Sequence, residues 1–167
     1  MNFRFKLYRV TTAVTLMISG FFTFTLLSSV LFIGTSLGAV LFLISLGACF
    51  IHSVLSLYLQ RSLLMPELPL KESTPGGIRI MGSISLIFAL LLIFCGLTLL
   101  LVTPEQMKEA MRQLPTEQQA AVKQAMLKPL GAIFLLLGAL IALNTNLSFR
   151  FLRQWEKQQH SHPEEEE

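Results

Sequence analysis

VTTAVTLMISGFFTFTLLSSVLFIGTSLGAVLFLISLGACFIHSVLSLYL, Val10 to Leu59, is a run of 50 residues without one Asp, Glu, Lys or Arg. A helix that crosses a bilayer needs about 20 apolar residues. The run is too long for one crossing and suits two, with Gly34-Thr35-Ser36-Leu37-Gly38 as a turn near its middle. This predicts span 1 over Val10–Ile33 and span 2 over Leu37–Gln60, residues 37–60, joined as a tight hairpin. Once a hairpin is buried in lipid, the rest of the chain must be a membrane protein too.

Upstream, Arg4, Lys6 and Arg9 alternate with Phe3, Phe5 and Tyr8, which predicts a basic interfacial segment over residues 1–9. A cleavable signal has an apolar core of only about 7–15 residues. Val10–Ile33 is longer, so the first helix is expected to stay in the mature chain. Leu46-Gly47-Ala48-Cys49 resembles a lipoprotein cleavage box but lies in the middle of a span.

Downstream, Pro66, Pro69, Pro75 and Gly76-Gly77 break the pattern and predict a polar loop over Arg61–Gly77. A third span is expected over residues 79–102 and a fourth over 130–150, its helix continuing toward Gln159. Between them Thr103 precedes Pro104 with Gln106 three residues on, and Thr116 is followed by Gln119, two capping-box spacings separated by Pro115. They predict a short amphipathic helical pair over 104–127, lying flat on the membrane. Met107, Met111 and Met126 read as its lipid-facing stripe rather than as thioether metal ligands. The tail, 160–167, ends in four Glu and is expected to be disordered.

The fold class is therefore an all-α integral membrane protein, an antiparallel bundle of four transmembrane helices forming a single domain over 10–159. Composition agrees: 53% of the 167 residues are hydrophobic and 14% charged, with mean hydropathy +0.62, against roughly 25% charged in soluble domains. The net charge of +3 is spread along the flanks of the spans, which excludes the basic clustering of a nucleic-acid binder. Nine Lys or Arg (Arg4, Lys6, Arg9, Arg61, Lys71, Arg79, Arg150, Arg153, Lys157) fall on one side and four (Lys108, Arg112, Lys123, Lys128) on the other. Positive charge collects on the cytoplasmic side. Both termini are expected there, in a cell (inner or plasma) membrane.

Helices in lipid associate through close backbone approach and a few hydrogen bonds. Each span offers a stripe of small or weakly polar residues. These are Thr12, Thr15 and Ser19; Ser45, Cys49, His52 and Ser56; Gly82, Ser85, Ala89 and Gly96; Gly131, Gly138, Ala142 and Thr145. Gly82, Ala89, Gly96, Gly131, Gly138 and Ala142 are the expected helix-packing positions. His52 sits about 12 Å and Asn144 about 9 Å from the cytoplasmic ends of their spans at 1.5 Å per residue. With Ser56 and Ser85 they predict a polar layer in the inner half of the bundle. Intramembrane ionisable groups mark functional sites, yet a neutral His held by hydroxyl and amide partners is ordinary interhelical glue.

Several chemistries are excluded. All ten acidic residues are Glu, and no predicted span holds a carboxylate. There is no His-Glu-x-x-His or Cys-x-x-Cys, and the one Gly-x-Ser-x-Gly spacing, Gly34–Gly38, falls in the turn between two predicted helices with no strand before it, so it is not a nucleophile elbow. Cys49 and Cys95 differ in expected depth by about 8 Å, too far for a disulfide. Neither enzyme activity, metal nor cofactor is expected. The reading is an accessory or interaction subunit whose partners are the bilayer and another membrane protein or a second copy. The alternative is an oligomeric permease or channel built on the layer around His52.

Overall fold

The computed structural model describes the whole chain except residues 1–2, 34–35, 66, 69, 104, 107–108, 110–111, 113–123 and 162–167. Four long helices account for most of it: α1 (Phe3–Ile33), α2 (Leu37–Leu64), α3 (Ser73–Leu101) and α4 (Gln124–Ser161). All four are long and apolar enough to cross a membrane. The chain is a helical, multi-pass membrane protein.

The helices outrun the predicted spans for identifiable reasons. The 31 residues of α1 measure about 46 Å, against a hydrocarbon core of about 30 Å. Its basic first turns continue the helix because no Gly or Pro interrupts residues 3–10. Ser36 caps α2, its Oγ accepting from the Ala39 N–H at 3.1 Å. The expected loop shrinks at both ends: α2 runs on to Leu64 and α3 starts at Ser73. Pro75, Gly76 and Gly77 thus lie inside the first turn of α3. Proline is tolerated there because the first four N–H groups of a helix have no intrahelical acceptor.

The segment after α3 requires a correction. The first predicted capping box exists: the Thr103 N–H donates to Gln106 Oε1 at 3.1 Å and the Gln106 N–H donates to Thr103 Oγ1 at 3.3 Å. Residues 124–127, drawn as the end of the surface pair, belong to α4, which begins at Gln124 and runs through Pro129. Pro129 withholds one N–H but leaves the helical path intact. Most of the remaining pair, including Thr116 and Gln119, lies outside the described residues, as does the acidic tail from His162.

Packing divides into two units. The first comprises the helices up to Ile87 together with those from Leu140 onward. Its apolar centre is Phe5, Tyr8, Leu59, Ile78, Phe151 and Leu152. The Tyr8 ring stacks on Phe151 at 5.1 Å, and Phe5 meets Phe151 edge-on at 5.4 Å. Further along α1, Gly20 admits the Phe50 ring, which also meets Phe24 edge-on at 6.0 Å.

The second unit is Phe88–Ala139, in which the last turns of α3 meet the first turns of α4. A Cβ on Gly96 would stand 2.7 Å from the Gly131 carbonyl oxygen and from the Leu135 nitrogen. One on Gly138 would stand 2.8 Å from the Ala89 carbonyl oxygen, and one on Gly131 would stand 2.9 Å from the Leu99 Cβ. The backbones approach closely because no side chain intervenes.

Candidate functional site

The interior of the first unit is polar to a degree unusual for a small bundle. On α1, Tyr8, Thr12, Thr15 and Ser19 follow one another at four-, three- and four-residue steps and so share a face; all four are buried. α2 contributes His52, Ser53, Ser56 and Gln60, and α4 contributes Asn144, Thr145 and Ser148, all buried.

Thr12 is the node. Its hydroxyl oxygen lies 2.7 Å from the Tyr8 carbonyl oxygen and 2.8 Å from Asn144 Oδ1, so one proton is shared between two acceptors. The same oxygen accepts from Gln60 Nε2 at 2.8 Å. One turn away, the Ser56 and Ser148 hydroxyls are 3.0 Å apart, and the Tyr8 hydroxyl donates toward Ser148 at 3.2 Å. Trp155 Nε1 donates to Ser62 Oγ at 3.1 Å. Three helices are thereby laced together by side chains.

The residues named from sequence fall into this arrangement unevenly. Ser56 and Asn144 belong to one connected set, joined through Tyr8 and Thr12. Ser85 is fully buried but donates to the Met81 carbonyl of its own helix at 2.8 Å and stands beside the Cys49 thiol. His52, 1% exposed, packs edge-on against Phe149 with ring centroids 6.3 Å apart. A Cβ on Gly82 would meet both rings, at 2.7 Å from Phe149 and 3.0 Å from His52. The Ile78 backbone stands beside the imidazole, yet neither ring nitrogen makes a hydrogen bond of good geometry. The hydroxyl and amide partners expected for His52 are absent among the described residues. Asn144 Nδ2 and the Thr15 and Thr145 hydroxyls are likewise buried without partners.

Of the packing positions, Gly82 belongs to this first unit; Gly96, Gly131 and Gly138, with the fully buried Ala89, belong to the second, while Ala142 is half-buried. Both cysteines are free thiols, Cys49 buried and Cys95 exposed. No group of three or more His, Cys, Asp or Glu among the described residues is placed to hold a metal ion.

Tyr8, Gln60 and Ser148 were invisible as site residues. Tyr8 reads as interfacial because it stands among basic residues. The available signal was its spacing, which extends the Thr12–Thr15–Ser19 stripe one turn upstream. Gln60 and Ser148 sit near the ends of the predicted spans 37–60 and 130–150, where polar residues are unremarkable.

Fold and interior together define the class: a multi-pass helical membrane protein with a hydrogen-bonded polar core. Comparison with protein-family models, curated proteins and solved structures finds no match.

Proposed function

We propose that the chain is a non-enzymatic accessory or interaction subunit of a membrane complex, an antiparallel four-helix bundle in the cell membrane with both termini cytoplasmic. The observation that carries the reading is that six side chains of the polar core bond to one another. Tyr8, Thr12, Ser56, Gln60, Asn144 and Ser148 bond to one another, and the Tyr8 ring stacks on Phe151. A conduction pathway would need those same groups to face a passing solute. Phe21, Phe24, Leu31 and Phe32 of α1 are exposed, an apolar surface suited to lipid or a partner helix. The nine-to-four distribution of Lys and Arg supports the orientation.

Affinity purification of the tagged full chain from native membranes in mild detergent tests the reading. A larger membrane protein should co-purify in fixed stoichiometry; a chain recovered alone counts against it.

The permease or channel reading is kept because of one specific observation, that the nitrogens of His52 and the amide nitrogen of Asn144 are both buried without partners. One turn back along α2 and α4 from the bonded pair Ser56–Ser148 stand these two residues. His52→Gln and His52→Leu separate the readings. With no hydrogen-bond partner to lose, both variants should melt close to the parent, within about 1 kcal/mol. Both should still capture the partner. A stable His52→Gln protein without biological activity would mean that the imidazole exchanges protons, and would make the permease the leading reading.

A further inference from the structure

A hollow of about 470 Å³ opens where α2 ends and α3 begins. Arg61 and Lys71 line it, together with the hydroxyl-bearing Ser73 and Thr74 and an apolar wall of Leu55, Leu68 and Leu70. We propose that it binds an anionic phospholipid, the phosphate between Arg61 and Lys71 and an acyl chain along the leucines. The inference does not depend on the accessory reading or on which side of the membrane this end faces.

The lining argues for an anion. Two cations line the hollow and, among the described residues, no carboxylate does, Glu67 and Glu72 of the same connection lying outside its wall. Thr74 is nine-tenths buried against the hollow, which holds its hydroxyl in place. Ser62, also in the wall, accepts from Trp155 Nε1 and keeps its own proton to donate. Basic hollows between helix ends at the membrane surface are the usual seats of anionic head groups.

The apolar wall argues for a lipid rather than free phosphate. Leu68, in the wall, is 41% exposed, and Leu64 and Met65, outside it at the end of α2, are 48% and 54% exposed. A soluble phosphate would satisfy the cations and leave those side chains in water. An acyl chain covers them while its head group reaches Arg61 and Lys71. A second basic hollow, with Arg150, Arg153 and Lys157 along one face of α4, lacks the leucine wall and supplies a charge-matched control.

The test is native mass spectrometry of the full chain released from nanodiscs of equal phosphatidylglycerol and phosphatidylcholine. The parent should retain phosphatidylglycerol in preference. Arg61→Gln with Lys71→Gln should reduce that preference by about 25-fold, about fivefold for each cation. Arg150→Gln with Lys157→Gln should leave it nearly unchanged. Equal loss in the two double variants, equal retention of both lipids, or displacement of the lipid by inorganic phosphate alone would overturn the proposal. Melting in detergent monitors folding; should the first pair unfold, Lys71→Gln alone, on the exposed connection, carries the same comparison.

Discussion

Thr12 and Asn144 bond to each other, yet their removal has unequal consequences. Thr12→Val keeps the shape and deletes the node's hydroxyl, leaving Asn144 Oδ1 only the Thr11 hydroxyl at 3.4 Å and Gln60 Nε2 only the Tyr8 carbonyl at 3.5 Å. Gln60 Nε2 then loses its 2.8 Å acceptor and Asn144 Oδ1 its 2.8 Å donor. Buried groups left with only such long, weak contacts cost toward the low end of the about 1–3 kcal/mol of a fully unsatisfied group. Asn144→Leu leaves the Thr12 proton on the Tyr8 carbonyl at 2.7 Å and removes an amide nitrogen that already lacks a partner. Its expected cost is below about 1 kcal/mol, in the range of single interhelical hydrogen bonds in lipid. Equilibrium unfolding in mixed micelles ranks the two, and Asn144→Leu as the more damaging change would move the node away from Thr12.

At the scale of the helices, one substitution has opposite signs at different glycines. Gly47→Ala in α2 adds a methyl that meets nothing within 4 Å, so only backbone entropy changes and stability should rise by roughly 0.5–1 kcal/mol. Gly96→Ala drives its methyl into two backbone atoms at 2.7 Å, which cannot step aside as a side-chain tip can, and should separate α3 from α4. Thermal melting of the two alanine variants in one detergent checks the pair; a shift of the same sign would mean that close backbone approach is not what joins these helices. The four helices were legible in sequence because an uncharged run has only one physical use, and because Pro and Gly punctuate it. Helix ends were less legible. Pro75 reads as a break but falls in a first turn, where its missing N–H is harmless, and α4 begins ahead of the predicted fourth span and runs through Pro129. Within the polar interior, Asn144 and Ser56 could be named from their depth. Which side chains they bond depends on how the helices face one another, and periodicity along one helix does not contain that.

Across the whole molecule, charge decides what packing leaves open, namely which ends of the helices face the cytoplasm. Arg4, Lys6 and Arg9 open α1, Arg61 stands near the end of α2, Lys71 and Arg79 flank the start of α3, and Arg150, Arg153 and Lys157 follow the apolar part of α4. Arg79 is partly offset by Glu156, whose Oε1 accepts from its Nη2 at 2.7 Å. That pair is surface-exposed and contributes at most about 1 kcal/mol, so it barely alters the balance that governs insertion. The segment after α3 carries Glu105 and Glu109 against Lys108 and Arg112, and Arg112 and Glu109 pair at 3.4 Å. Orientation follows Lys and Arg near helix ends and little else, so Ser73 should be cytoplasmic and Glu109 external. In a background without the two native cysteines, Glu109→Cys should react with an impermeant maleimide added to intact cells. Ser73→Cys should react only after the membrane is opened. Labelling of Ser73→Cys in intact cells, with Glu109→Cys protected, would invert the topology. It would leave the polar core as described and set the ring of arginines on the outer face.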